Sequence, residues 1–167
     1  MEDYSVDMKS KIEIAEKNLA RLLEWVSRFD NKSIIILGVD TGMLGVLASF
    51  APPLKPLSLA VIFVASLSLF FLGLSLLFIY LGSYPRTTGP KQSLLYWGCI
   101  SQSSFLQYKD SFKDESDEEY LNDLLEQCYR NSEILDKKFT NLKWAYRMLF
   151  VGLLPWIITI YLFRVHP

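Results

Sequence analysis

A carboxylate lies among glycines in an otherwise apolar stretch of this chain. Asp40 follows Gly38 and precedes Gly42 and Gly45 within the run 34–50. An ionisable group inside such a segment costs about 2.5–3.5 kcal/mol on insertion scales, so it should face other helices or water. Glycines spaced in this way let a neighbouring helix approach closely. These residues predict a role in lining a pore or packing helices. The alternative is an Asp40 that is protonated or hydrogen-bonded for structural reasons.

Residues suited to catalysis are sparse elsewhere. His166 is the only histidine and follows the last apolar run. The sequence offers no Ser/His/Asp or Cys/His set, no cluster of metal ligands and no Gly-rich loop for a phosphate. Cys99 and Cys128 have a spacing that fits neither a zinc site nor a disulfide framework. We therefore expect a protein that is not an enzyme and holds no metal or catalytic cofactor.

The composition indicates a membrane protein. The chain has 167 residues, of which 51% are hydrophobic, and its mean hydropathy is +0.21. The apolar residues are concentrated in blocks rather than spread at the spacing of a soluble core. The net charge is −1, so no strong positive field suggests a nucleic-acid partner.

Three apolar blocks predict three membrane spans. The first covers 33–50, the second 57–81 and the third 144–163. The second is uncharged and long enough for a helix to cross the hydrocarbon core of roughly 30 Å. A proline-rich turn at 51–56 joins the first two spans into a hairpin.

The polar segments predict amphipathic helices. Residues 3–32 carry apolar side chains at helical spacing, without glycine or proline. Residues 86–143 begin as an irregular polar loop and continue as a long helix, which a capping box of Ser116 and Glu119 should start. The fold class is therefore all-α: an integral membrane helical protein with three spans and cytosolic amphipathic helices, expected to be oligomeric.

The distribution of Lys and Arg predicts the orientation. Positive charges are frequent before the first span and in the segment 86–147, whereas Lys55 is the only one in the hairpin turn. The segments rich in Lys and Arg stay in the cytoplasm. We therefore expect a multi-pass membrane protein with a cytoplasmic N-terminus and central region.

The order of several short motifs resembles the Pycsar transmembrane effector family. The motifs follow one another along nearly the whole chain, and each is weak by itself. They are LLEW at 22–25, FDNKS at 29–33, LGVDTGMLG at 37–45, YPR at 84–86, LLYWGCI at 94–100 and KWAYR at 143–147.

This resemblance implies antiphage defence. In such systems a partner cyclase makes cyclic UMP or cyclic CMP on infection, and the effector senses this second messenger. The effector then oligomerises or rearranges and impairs the inner membrane, which causes growth arrest or cell death. The resemblance also implies that residues 1–167 form a single membrane effector domain.

A cyclic nucleotide would need a cation for its phosphate and an aromatic face for its base. The expected phosphate partners are Lys32 and Arg86, and Tyr96 or Trp97 would stack on the base. Asp30 could accept hydrogen bonds from a base edge or the ribose. Each residue also has an ordinary alternative role: the cations as membrane anchors, the aromatic side chains as interfacial residues, and Asp30 as the cap of the first span.

Two other functions remain open at this point. The chain could be a membrane anchor or adaptor whose cytosolic helices recruit a partner. It could also be a constitutive, holin-like pore that needs no ligand. Ligand-dependent leakage of vesicles separates both from a gated effector.

Overall fold

Helices make up most of the part of the chain that the structure describes. The computed structural model describes residues 2–52, 57–85, 89–90 and 93–165, with side chains from residue 7 onward, and these ranges contain no strand. The helices are α1 (Glu2–Phe50), α2 (Leu59–Ser83), α3 (Trp97–Ile100), α4 (Phe105–Asp114) and α5 (Asp117–Val165). The predicted all-α fold class is confirmed.

Three of these helices can cross a membrane. Helices α1, α2 and α5 each contain a stretch that is long and apolar enough to do so. The prediction of a membrane protein with three candidate spans is thereby confirmed. The amphipathic segment 3–32 and the span 33–50 are parts of one uninterrupted helix, and so are the polar and apolar parts of α5.

Local capping determines where α4 and α5 begin. Ser116 and Glu119 form the predicted capping box: the Ser116 N–H donates to Glu119 Oε2 at 2.9 Å, and the Glu119 N–H donates to Ser116 Oγ at 3.3 Å. A second capping box, between Ser104 and Gln107, starts α4. The sequence analysis assigned that segment to an irregular loop, which is wrong for the ten residues of α4.

The described chain divides into two compact units. The polar unit consists of Met1–Arg28 and Pro85–Asp136, and the span unit consists of Phe29–Tyr84 and Lys137–Pro167. Two of the three boundaries between the units fall inside a helix, one in α1 and one in α5, and the third follows the end of α2, between Tyr84 and Pro85.

The span unit packs along a seven-residue repeat on each helix. Buried positions follow at alternating steps of four and three, the spacing that keeps one face of a helix against its neighbours. On α1 they are Phe29, Ser33, Ile36, Asp40, Met43 and Leu47. On α2 they include Ser68, Leu72, Ser75, Ile79 and Gly82, and on α5 they include Leu142, Ala145, Gly152 and Thr159.

Close packing occurs where α2 and α5 present a glycine to a neighbour. A Cβ built on Gly82 would lie 2.9 Å from Cζ of Phe29 and 3.3 Å from Cβ of Asn141. A Cβ on Gly152 would lie 2.9 Å from Cβ of Phe71. Phe29 is fully buried, so its ring has little room to move. Glycine is therefore required at position 82 for this packing.

We predict that Gly82→Leu destabilises the span unit, whereas Gly73→Leu does not. Both changes add the same side chain to α2, but a Cβ on Gly73 meets nothing within 4 Å. Overpacking at position 82 should cost about 1–3 kcal/mol. Thermal unfolding of the full-length protein in detergent measures the difference. Equal melting temperatures for the two variants would contradict this packing.

Candidate functional site

A buried carboxylate lies inside the span unit. Asp40 is 0% exposed, and the Ser75 hydroxyl of α2 donates to its Oδ2 atom at 2.7 Å. The Oδ1 atom of Asp40 has no hydrogen-bond partner among the described residues. The prediction that Asp40 faces other helices of the bundle agrees with this position, whereas its role in a pore stays a prediction.

Further buried polar side chains lie on the three long helices of the span unit. Ser33, Ser68 and Thr159 are each no more than 3% exposed. The Thr159 hydroxyl donates to the Pro155 carbonyl at 2.8 Å, but those of Ser33 and Ser68 have no partner among the described residues. We call the set of Ser33, Asp40, Ser68, Ser75 and Thr159 the polar seam. An unpartnered buried polar group costs about 1–3 kcal/mol, so such a set is unusual in an apolar bundle.

The glycines next to Asp40 face the other way. Gly38, Gly42 and Gly45 are exposed, and a Cβ on any of them would meet no described atom within 4 Å. No described helix of this chain lies against them. If these glycines pack against a helix as predicted, that helix belongs to another molecule. This role stays a prediction.

In the polar unit, Asp123 of α5 anchors the loop before α3. Its Oδ2 atom accepts hydrogen bonds from the Ser93 hydroxyl at 2.8 Å and from the N–H groups of Leu94 at 2.9 Å and Leu95 at 3.2 Å. Gln127, one turn further along α5, donates to Ser93 Oγ at 3.0 Å. Asp123 and Gln127 are both buried. Residues 93–95 are therefore attached to α5 through side chains that fix the start of α3.

The anchored loop presents two aromatic residues to a cleft. The rings of Tyr96 and Trp97 lie 5.5 Å apart at 50°. They line a cavity of about 330 Å³ that we call the aromatic cleft. Its other lining residues are Leu19, Leu23, Gly89, Leu95, Gln127, Arg130, Asn131 and Ile134. Ligand cavities in proteins commonly measure roughly 300–1,000 Å³, so the cleft can hold a small organic molecule.

The polar groups of the aromatic cleft come from one stretch of α5. Arg130 forms an ion pair with Glu133, with 2.8 Å between Nη1 and Oε2, and its side chain is 33% exposed. The Asn131 amide donates to the Gln127 backbone carbonyl at 2.8 Å. The cleft thus combines π-faces, a guanidinium and two amides, the groups that bind a planar base and an anionic phosphate.

A second cleft of the polar unit is acidic. Its cavity of about 700 Å³ is lined in part by Asp114, Glu115, Glu119, Asp123 and Glu126. Desolvation, followed by the charges of Asp123 and Glu119, raises the pKa of Glu115. Hydrogen bonds from the Ser116 N–H and hydroxyl lower the pKa of Glu119, which keeps that carboxylate charged. This cleft repels anions and is unsuited to a phosphate.

The five predicted nucleotide contacts do not all lie in one unit. Tyr96 and Trp97 meet in the aromatic cleft of the polar unit. Asp30 and Lys32 belong to the span unit, where Asp30 forms an ion pair with Lys138 at 3.2 Å and Lys32 lies 5.9 Å from the Phe139 ring centroid. Arg86 lies outside the described residues.

The sequence analysis missed Gln127 and Arg130, which line the aromatic cleft, and Asp123, which anchors its loop. Asp123, Gln127 and Arg130 lie within two turns of α5. A weak signal was present, since Asp123 and Gln127 are polar residues one turn apart beside the apolar stripe of the predicted helix. Their partner, Ser93, could not be assigned because it lies in a different element.

The fold and these sites define a helical membrane protein with a buried carboxylate between its spans and a ligand-sized cleft in its polar unit. The chain belongs to the PycTM family, because residues 14–164 match the model described as Pycsar effector protein domain. The resemblance seen in the sequence motifs is thereby confirmed.

A curated relative supports this assignment. The chain is 40% identical over 50 residues to the Pycsar effector protein GmPycTM of Gulbenkiania mobilis. This alignment covers 30% of the chain and 26% of the relative, so the match spans about a quarter of that protein's length. No solved structure matches the chain.

We predict that Asp123→Ala loosens the loop before α3. The change removes the acceptor of the Leu94 N–H, which costs about 1–3 kcal/mol if that group stays buried, whereas the Leu95 N–H keeps a second acceptor in Ser93 Oγ at 3.1 Å. Hydrogen exchange of the Leu94 and Leu95 amides should accelerate, and the polar unit should melt at a lower temperature.

Asp123→Asn retains one acceptor oxygen and should have the smaller effect. Glu126→Gln is the matched control, since Glu126 lines the same acidic cleft but makes none of the hydrogen bonds to the loop. Unchanged exchange of these amides in Asp123→Ala would rule out the anchor.

Proposed function

We propose that this chain is an antiphage defence effector that senses a cyclic pyrimidine mononucleotide and impairs the bacterial inner membrane. Cyclic UMP or cyclic CMP, made by a partner cyclase, is the expected ligand. Binding would cause oligomerisation or rearrangement of the spans and so arrest growth or kill the cell. The membership of the Pycsar effector family supports the effector role.

The aromatic cleft is the proposed nucleotide site. The observation that carries this assignment is that Tyr96, Trp97 and Arg130 line one cavity of suitable volume. A pyrimidine ring would stack on an aromatic side chain, the guanidinium would contact the cyclic phosphate, and the amides of Gln127 and Asn131 would meet the base edge. Asp30, Lys32 and Arg86 remain predicted contacts.

The polar seam is the proposed origin of membrane damage. Polar groups inside a membrane bundle commonly mark pathways for ions or protons. Asp40 Oδ1, Ser33 and Ser68 have unused hydrogen-bonding capacity that water or a second copy of the chain could satisfy. A second copy could approach along the exposed face of Gly38, Gly42 and Gly45, where backbones can come close.

The proposed topology follows the distribution of positive charge. Lys and Arg are frequent before the first span and between the second and third. A cytoplasmic N-terminus and central region would expose the aromatic cleft to a nucleotide made in the cytoplasm.

We predict that Trp97→Ala and Arg130→Gln weaken nucleotide binding. Loss of a stacking partner or a charge-assisted hydrogen bond, each worth about 1–3 kcal/mol, should raise the dissociation constant about 5- to 150-fold. Isothermal titration of the detergent-solubilised full chain with cyclic UMP and cyclic CMP measures the change.

Phe112→Ala and Lys109→Gln are the matched controls for this titration. They alter an exposed aromatic side chain and an exposed cation on α4, and neither residue lines the aromatic cleft. Equal binding by wild type, Trp97→Ala and Arg130→Gln would refute the assignment of the site. The variant Lys32→Gln tests in the same titration whether that predicted contact contributes.

We predict that the bound nucleotide makes vesicles leak and that Asp40→Leu abolishes this leakage. Dye release from proteoliposomes should fall to the level of empty vesicles, because the substitution removes the ionisable group of the polar seam. Thr41→Leu is the control, since Thr41 is its exposed neighbour on α1. Both variants should insert normally into the membrane.

Two outcomes of the leakage assay would favour other functions. Release of dye without any nucleotide would indicate a constitutive, holin-like pore. Binding of the nucleotide without release would indicate an adaptor that recruits a partner. Full activity of Asp40→Leu would exclude the polar seam from the mechanism.

A further inference from the structure

A groove on the span unit combines positive charge with apolar side chains. It measures about 560 Å³ and involves α1 and the middle of α5. We call it the basic groove. Its lining residues are Lys32, Phe139, Leu142, Lys143, Tyr146, Arg147, Phe150 and Val151.

The cations of the basic groove are not neutralised within the described chain. Lys32, Lys143 and Arg147 are exposed, and none has an acidic partner among the described residues. Arg147 lies over the Trp144 ring at 4.7 Å and Lys32 over the Phe139 ring at 5.9 Å, contacts that leave their charges available. The neighbouring Lys138 is already paired with Asp30. Three positive charges therefore surround one groove without a counterion.

The same groove continues into an apolar surface. Phe150 is 71% and Val151 50% exposed, and both follow Arg147 by about one helical turn. The next residues on α5, including Leu153, Leu154 and Ile157, are also exposed and apolar. Since α5 contains a candidate span, this exposed surface would face lipid chains in a membrane. The positively charged side chains of the groove therefore lie next to apolar side chains, at the level where α5 changes from polar to apolar.

We infer that the basic groove binds an anionic phospholipid. Its phosphodiester contacts Lys32, Lys143 and Arg147, and an acyl chain lies along Phe150 and Val151. Basic pockets at the ends of membrane helices recognise acidic headgroups in this way. A zwitterionic lipid is disfavoured because its own ammonium group meets the three cations. The basic groove shares no lining residue with the aromatic cleft, although Lys32 is also one of the predicted nucleotide contacts.

Lipid binding by the purified full-length protein tests this inference. The protein is delipidated in detergent and titrated with phosphatidylglycerol or phosphatidylcholine, and bound lipid is counted by native mass spectrometry. Wild type should prefer phosphatidylglycerol. Each cation near an anionic headgroup contributes about a fivefold change in affinity, so Lys32→Gln/Lys143→Gln/Arg147→Gln should lose about a hundredfold.

The control variant has the same change in net charge. Lys109→Gln/Lys113→Gln/Lys137→Gln removes three exposed cations that do not line the basic groove, one of them on α5. It should keep the preference for phosphatidylglycerol within about twofold, since its cations lie outside the site. Lys32→Arg/Lys143→Arg should bind like wild type because the charge is retained. If the triple groove variant does not fold, Lys143→Gln alone should show the fivefold loss.

Several results would overturn the inference. They are equal binding of the two lipids by wild type, an unchanged preference in the folded groove variant, and an equal loss in the control variant. Displacement of the lipid by glycerol 1-phosphate or cyclic UMP would show that the groove holds a free phosphate instead. No displacement by these soluble anions is expected, because they lack the acyl chain that contacts Phe150 and Val151.

Discussion

The burial of Asp40 among apolar helices is the constraint on which the span unit depends. A carboxyl in this place needs a partner, and Ser75 of α2 supplies it at 2.7 Å. A shift of α1 by a single residue would rotate Asp40 by about 100° and expose it to lipid, at a cost of several kcal/mol. The bond between Asp40 and Ser75 therefore determines the register of α1 against α2, while the contact at Gly82 determines how closely they pack.

The two units are stabilised by different means. The span unit relies on interdigitated apolar side chains and on glycines that permit close approach. The polar unit instead uses Asp123 to attach a loop through three hydrogen bonds to one carboxylate oxygen. The family model covers residues 14–164 and thus both units, so the aromatic cleft and the polar seam occur within one effector domain. The prediction of a single domain over residues 1–167 agrees with this coverage but stays untested.

Much of the helical architecture could be predicted because lipid leaves few alternatives to long apolar helices. The Ser116–Glu119 capping box could also be predicted from the sequence, because its two members lie only three residues apart. The corresponding box of Ser104 and Gln107 was overlooked, although its spacing is the same. Contacts between elements were not predictable: neither Ser75 nor Ser93 carries a local signal that it meets an aspartate. The side chains that complete the aromatic cleft depend on such contacts, so sequence alone found only its aromatic members.

Gln127 serves both the loop and the aromatic cleft, and in the proposed nucleotide site this would limit how ligand preference can evolve. Its side-chain amide donates a hydrogen bond to Ser93 Oγ, and the same side chain forms part of the wall of the aromatic cleft. A substitution at this position would alter recognition and disturb the backbone near Tyr96 at once. The side chain of Asn131 instead donates a hydrogen bond to the helix backbone, at the Gln127 carbonyl. In the proposed site, a change of base preference should therefore begin at position 131, and random mutagenesis for a new ligand should start there rather than at position 127.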